Sequence, residues 1–190
     1  LDGCRQEGIQ EVFATGWMDN GAETPIDAIW PGLAVFSFLC FHEDLYEEKL
    51  RTYFRDCIDA EMEDFLLLDL LDALFKGSGK NLSADNPSKY LLYQDPMLGI
   101  FDYHLKDTDT EIYYKTLADK LEVLAASPGE YQEFFRFYYC LALVLSQKAG
   151  LGVRIKNAYD ARDLSTLKEI CGKVIPNILR NLGDMHTSRE

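Results

Sequence analysis

The run Ile9-Gln-Glu-Val-Phe-Ala-Thr15 does most to limit how this chain can fold. Its β-branched and aromatic residues form a short block bounded by Gly8 and Gly16, which reads as a strand. Downstream, Thr24-Pro25 is a helix start, because Thr can cap and Pro at the first helical position gives up no hydrogen bond. Upstream, CRQEG reads as a helix end with a glycine cap. Helix, strand, turn and helix in this order belong to a parallel sheet, yet no second strand follows. Burying backbone N–H and C=O groups without ladder partners costs roughly 1–3 kcal/mol apiece. Partner strands are therefore expected upstream of Leu1, making this chain a C-terminal fragment. Residues 9–17, with both edges bare, either pair with the same strand of a second molecule in a fragment dimer or lie against the helices as an extended arm.

Past residue 24, apolar side chains recur at helical spacing almost throughout. Thr24 to His42 carries them on nearly every face, so a buried helix is expected there, kinked or divided by Pro31. EDLYEEKLRTYFRDCIDAEMEDFLLLDLLDALF predicts two amphipathic helices with a break near Asp59, where an N-cap could restart the chain. KGSGKNLSADNPSK, residues 76–89, is a loop by composition. YLLYQDPMLGIFDYHL is apolar without a clean period and is interrupted by Pro96 and Gly99, which predicts an ordered, buried connector. Thr110 to Ala126 and Glu130 to Ala149 are helices parted by SPGE, and a short helix over Gly152 to Tyr159 and a long one over Leu164 to Leu182 follow. The fold class is mainly α: a helical, bundle-like domain over residues 43–190, preceded over residues 1–42 by one βα unit.

Thirty-two acidic against nineteen basic residues leave a net charge of −13, which repels phosphate backbones and anionic lipid. Nucleic acid and membrane surfaces are excluded as partners on that ground. The runs AVFSFLCF and FLLLDLLDALF are too short or too interrupted by acids to span a bilayer. The five cysteines lack CxxC spacing and sit mostly in apolar helical context. They are expected to be reduced core thiols, with no disulfide, metal or cofactor. No apolar leader stands at Leu1, so the expected compartment is the cytoplasm.

The strand and the following helix are joined by GWMDNGAETP, a βα turn rich in polar and aromatic side chains. A pyranose ring presents a flat patch of C–H bonds that an indole face covers, and a nearby carboxylate can accept hydrogen bonds from ring hydroxyls. Trp17 and Asp19, at i and i+2 of a strand end, point the same way and are the leading candidates for a sugar pocket. The alternative is a core tryptophan followed by ordinary Asp-Asn-Gly turn chemistry. Asn20 and Glu23 are secondary candidates, since an acid in a first helical turn is stabilised by the helix dipole without any functional role.

Other conspicuous residues lead to structural readings. Asp102-Tyr103-His104 sets an acid beside an imidazole without a Ser or Cys nucleophile pattern and reads as a helix-boundary cluster. His42-Glu43-Asp44 has no second His at helical spacing and reads as a solvated helix end. YQEFFRFYYC carries aromatic residues on several faces, which predicts a central core helix.

Two blocks, EVFATGWMDNGAETPIDAIWPGL and NPSKYLLYQDPMLGIFD, resemble the C-terminal part of bacterial glycoside hydrolase family 20 enzymes, the β-N-acetylhexosaminidases, in the subgroup with a helical C-terminal domain. The resemblance implies that residues 1–42 are the last βα unit of a catalytic (β/α)8 barrel. In that family the last strand ends in a Trp-x-acid motif of the sugar pocket, here Trp17-Met18-Asp19, with Asp where many relatives have Glu. Such barrels place site residues at the C-terminal ends of their strands. The family also uses an adjacent Asp-Glu pair, Glu as general acid and Asp to orient the substrate's acetamido group, which attacks the anomeric carbon. That pair belongs to an earlier strand. Glu43-Asp44, Glu47-Glu48 and Glu63-Asp64 stand in helical context and inherit neither role. The implied function is removal of terminal GlcNAc or GalNAc from glycans, with this chain supplying part of the pocket, no catalytic residue and no activity alone. The competing reading is an acidic helical domain that binds a protein partner without catalysis.

Overall fold

Among the described residues every regular element is a helix. The computed structural model describes residues 1–16, 24–75, 86–105 and 108–188. It divides the chain into two units, Leu1–Leu68 and Asp69–Glu190.

In the first unit, α1 (Asp2–Gln6) gives way at Glu7 to Gly8, whose φ of +70° suits a residue without a side chain. Arg5 donates to the carbonyls of Leu39 and, at 2.8 Å, His42. These lie at the C-terminus of α2 (Trp30–Phe41), where a cation meets unsatisfied carbonyls. The expected strand is not seen: residues 9–16 form neither helix nor strand and are exposed. Residues 10–14 make no hydrogen bond with the described residues. Without a neighbouring strand there is no ladder to define one.

Two prolines divide the next helix instead of kinking it. Pro25 leads into a 3-10 turn, Ile26–Ile29, and Pro31 occupies the first turn of α2, where its missing N–H costs nothing. Trp30 Nε1 donates to Asp27 Oδ1 at 3.0 Å across the junction. α2 was expected to be buried all round, but only Pro31, Ala34 and Phe38 are. Apolar composition does not by itself supply a neighbour for every face, and Phe41 is left exposed. α2 packs on α3 (Glu47–Ile58) and α4 (Met62–Leu66), which bury Leu50, Phe54, Met62 and Phe65. The Phe54 and Phe65 rings meet edge to face at 5.5 Å. The break at Asp59 is real, though its device differs from the expected N-cap. Asp59 ends α3 in the left-handed region at φ +56°, which Asp tolerates better than most residues, and no side chain caps α4.

The second unit is built around α7 (Gln132–Lys148), which buries ten residues from Phe134 to Ser146. α6 (Thr110–Ala126) lies beside it and offers one face, Tyr114, Leu117, Ala118 and Leu121, at the i, i+3, i+4, i+7 spacing of a helical stripe. α5 (Pro87–Tyr93), α8 (Leu151–Asp160) and α10 (Ile175–Thr187) pack against other parts of α7. Val144, Leu151, Ile170, Val174 and Ile178 form one buried cluster at this junction. Each such side chain contributes about 1.5–3 kcal/mol by leaving water. Of the expected loop, residues 76–85 lie outside the described residues, and its end is helical because Pro87 opens α5.

The helix expected over Leu164 to Leu182 is three pieces: α9 (Leu164–Glu169), a π turn over Ile170–Val174, and α10. Pro176 has no N–H for the carbonyl of Gly172, and its ring crowds that group in a regular helix. The widened turn just before it absorbs the conflict. The thiols also depart from expectation. All five are free, but Cys40, Cys57 and Cys171 are exposed and only Cys140 is buried, because the others stand on the outer sides of their helices. No helix among the described residues is long and apolar enough to cross a membrane.

Tyr114 shows how the core handles a polar atom. It has no exposed surface, and its hydroxyl donates to the Leu71 carbonyl at 3.1 Å, while Tyr113 donates to Leu70. Burial, reinforced by Asp72, pushes the Tyr114 phenol far above its usual range, so it remains a donor. Tyr114→Phe should lower the unfolding free energy by about 1 kcal/mol, the loss expected for a buried acceptor deprived of its donor. Tyr114→Ala should cost about 3–5 kcal/mol through the cavity it leaves. Denaturant titration of the two variants checks both figures, and equal losses would refute the hydrogen-bond account.

Candidate functional site

The four sugar-pocket candidates, Trp17, Asp19, Asn20 and Glu23, lie outside the described residues. On one side of them, Gly16 rests near the 3-10 turn, where a Cβ on it would meet Ile29 Cδ1 at 3.5 Å. On the other, Thr24 is exposed and precedes Pro25, the cap of that turn.

In the second unit the expected connector, Tyr90 to Leu105, is ordered but only partly buried, with Leu91, Gln94 and Leu105 inside. Tyr93, Met97, Leu98, Ile100 and Tyr103 are all exposed. Polar contacts hold the backbone beneath them. Lys148 Nζ, at the end of α7, donates to Gln94 O at 2.6 Å and to Leu91 O at 3.3 Å. Asp95 Oδ1 accepts from Met97 N at 2.7 Å, a turn in which the side chain replaces a backbone acceptor. Burial lowers the Lys148 pKa, and Asp95 partly offsets it. The Tyr90 and Phe101 rings lie 4.3 Å apart. A period-free apolar run says that side chains will pack, but not which ones.

Two glycines make room for Asp102. A Cβ on Gly99, itself at φ +61°, would come within 2.7 Å of Asp102 Oδ2. On Gly152, in α8, a Cβ would come within 3.2 Å of both carboxyl oxygens and 2.6 Å of Pro96 O. Asp102 Oδ1 is buried with no hydrogen-bond partner, and burial raises its pKa. Asp102 and Tyr103 line an open groove of about 1220 Å³ together with Gln147, Arg154, Asn157 and Lys173.

Three of the acids along the groove are already engaged. Asp109 and Asp163 are spent as helix caps, accepting from Ile112 N and Thr166 N at 3.0 Å each, and Glu169 pairs with Arg154 at 2.9 Å. The remaining clusters are structural. His42 Nδ1 donates to Phe38 O, 2.9 Å away, and the ring stacks on that of Phe38 at 4.0 Å. Glu63 pairs with Arg51, and burial raises the Asp64 pKa, with Glu61 and Glu63 adding to it. Asp102 and His104 lie in one 3-10 turn, Asp102–Leu105. Among the described residues no group of His, Cys, Asp or Glu could hold a metal. The groove residues were not legible beforehand, because separate stretches of chain supply them and no local spacing marks them.

The profile described as the Glycoside Hydrolase 20C C-terminal domain matches residues 63–190. The chain belongs to this family. The matched span contains the second unit and the block NPSKYLLYQDPMLGIFD, one of the two by which the sequence resembles family 20. The block around Trp17 lies ahead of it. No curated protein matches the chain at a significant level. The family makes this chain part of a hexosaminidase-type glycoside hydrolase.

Asp102 allows a test of the buried carboxyl. Its folded pKa lies above the ordinary 3.8, so its contribution to stability is fully present below 3.8 and is lost as pH rises through the folded value. Asp102→Asn should therefore raise the thermal midpoint at pH 7, and the gain should vanish below pH 3.8. A gain of equal size at both ends of that range would show that titration of Asp102 is not its source.

Proposed function

We propose that this chain is the C-terminal portion of a β-N-acetylhexosaminidase that removes terminal GlcNAc or GalNAc from glycans. Residues 1–42 are the last βα unit of its (β/α)8 barrel, and residues 43–190 are the helical domain that follows. The match over residues 63–190 carries this reading. Trp17 stacks on the pyranose ring and Asp19 accepts hydrogen bonds from its hydroxyls, with Asn20 and Glu23 at the rim. The general acid and the acetamido-orienting Asp come from earlier barrel strands. A cytoplasmic setting belongs to the same reading.

The 190-residue chain should not hydrolyse an aryl β-N-acetylglucosaminide above background, whereas the longer enzyme should. In that enzyme Trp17→Ala should raise KM and lower kcat/KM, the lost stacking being worth on the order of 1–2 kcal/mol. A folded Trp17→Ala enzyme with unchanged kinetics rejects the pocket assignment.

Without the barrel, residues 9–17 pair with the same segment of a second molecule. Its support is that residues 10–14 make no hydrogen bond with the described residues. Light scattering should show the mass falling from dimer to monomer when residues 1–20 are deleted. An intact chain that is already monomeric at high concentration removes this part of the reading.

A further inference from the structure

We infer that the groove beside Asp102 is a binding site for a neutral oligosaccharide. The inference goes beyond the hexosaminidase reading and does not need it, because the groove lies wholly in the second unit. Asp102 Oδ1 and Gln147 Oε1 are buried, neither has a hydrogen-bond partner, and both residues line the groove. Folded proteins leave few acceptors in that state. Two beside one groove point to a donor that the chain itself does not provide. Gln147 can turn its oxygen to a ligand at little cost, since the last torsion of its side chain is broad.

The other groups along the groove define what the ligand must offer. Thr110 is 5% exposed, and its hydroxyl, 3.1 Å from where a Cβ on Gly150 would stand, bonds to no described residue. Asn157 and Lys173 are exposed, and their side chains have no partner among the described residues. Unsatisfied acceptors and unsatisfied donors therefore line one space. A hydroxyl both donates and accepts, so a polyhydroxylated ligand satisfies the two kinds together. An ammonium only donates and would meet Lys173 and Arg154, whereas a phosphate only accepts and would meet Asp102, Glu111 and Asp163. Tyr103, 81% exposed, adds an aromatic face for the C–H side of a pyranose.

Size favours several linked sugars over a single ring. About 1220 Å³ exceeds the roughly 300–1,000 Å³ of ordinary small-molecule pockets. One wall of the groove is the π turn: Lys173 and Val174 belong to it, and Glu169 and Asn177 stand on either side of it in sequence. Such turns within helices recur at functional sites, and here the extra residue sets which side chains of the helix reach the groove. α8 and α10 both pack on α7, so the walls stand before a ligand arrives. A site preorganised in this way spares the ordering cost of binding.

Amide-resolved NMR titration of the 190-residue chain with the β-linked trimers of N-acetylglucosamine and of glucose tests this. At millimolar concentration at least one trimer should shift the amides of Gln147, Asn157 and Lys173. Spermidine and trigalacturonate, a cationic and an anionic counterpart, should not. Asn157→Trp, which fills the groove from an exposed position, should weaken binding roughly tenfold or more, and Gln147→Ala roughly threefold. Both variants should keep the thermal midpoint of the parent chain, since Asn157 is exposed and the Gln147 oxygen makes no hydrogen bond to lose. No shift at these amides with either trimer overturns the inference. So do shifts confined to residues near Trp17, which would assign the sugar to the barrel pocket, and affinity unchanged in both folded variants. Spermidine or trigalacturonate shifting the groove more strongly than the trimers overturns the choice of a neutral sugar. Turnover of the aryl glycoside by the longer enzyme judges the hexosaminidase reading separately, so either reading can fail alone.

Discussion

A helix with apolar side chains around most of its circumference has no stable place at a surface, and α7 is such a helix. From Phe134 to Ser146 it turns a buried residue toward nearly every direction, so other elements must surround it before any of them gains much by burial. α6 supplies one stripe, α10 another, and α5 and α8 cover what remains. Aromatic rings do much of the filling. Phe134 meets Phe135 at 5.0 Å and Tyr138 at 5.2 Å, both near perpendicular, the arrangement that ring quadrupoles favour.

The same helix governs a polar joint at its end. Lys148 completes α7 and points its ammonium at the last carbonyls of α5, which no intrahelical donor can reach. Holding a half-buried cation there is unfavourable enough to depress its pKa, and two carbonyl acceptors offset that cost. Gln94, buried beside it, donates to Ala149 O at 3.4 Å. The connector thus takes its course from the interior: its backbone is tied down at one side by α7, while Tyr93, Met97, Leu98, Ile100 and Tyr103 face outward.

Where a physical rule acts locally, the sequence was informative. α6 was legible to the residue, with SPGE marking its end, and α7 because its aromatic residues lie on several faces. Pro31 and Asp59 marked real divisions, although Asp59 acts through its own left-handed backbone. Where the outcome depends on what happens to be nearby, it was not. α2 looks like a core helix by composition, yet only one face of it is covered. The connector is apolar, and its exposure could be read only once Lys148 and Asp95 were seen fixing its backbone. The groove beside Asp102 brings together residues far apart in the chain, and Gly152 mattered there as a vacancy for a carboxyl, which no motif announces. The family was legible from two blocks, one of which lies inside the matched span. The sugar-pocket residues, Trp17 and Asp19 above all, are a matter of resemblance and of stacking chemistry alone.

The π turn at Ile170–Val174 has a bearing on how this domain can vary in length. A π turn holds one residue more than the regular turn it replaces, and each residue added to a helix rotates everything beyond it by about 100°. The stripe that α10 lays on α7, with Ile178 against the cluster of Val144 and Val174, therefore has its phase set by a residue count in front of it. Loops absorb single-residue insertions and deletions without consequence, but this stretch does not. Losing one residue here would turn Ile178 toward water while leaving every apolar side chain in the sequence intact, so the reading frame of the helix is itself a structural parameter of the fold.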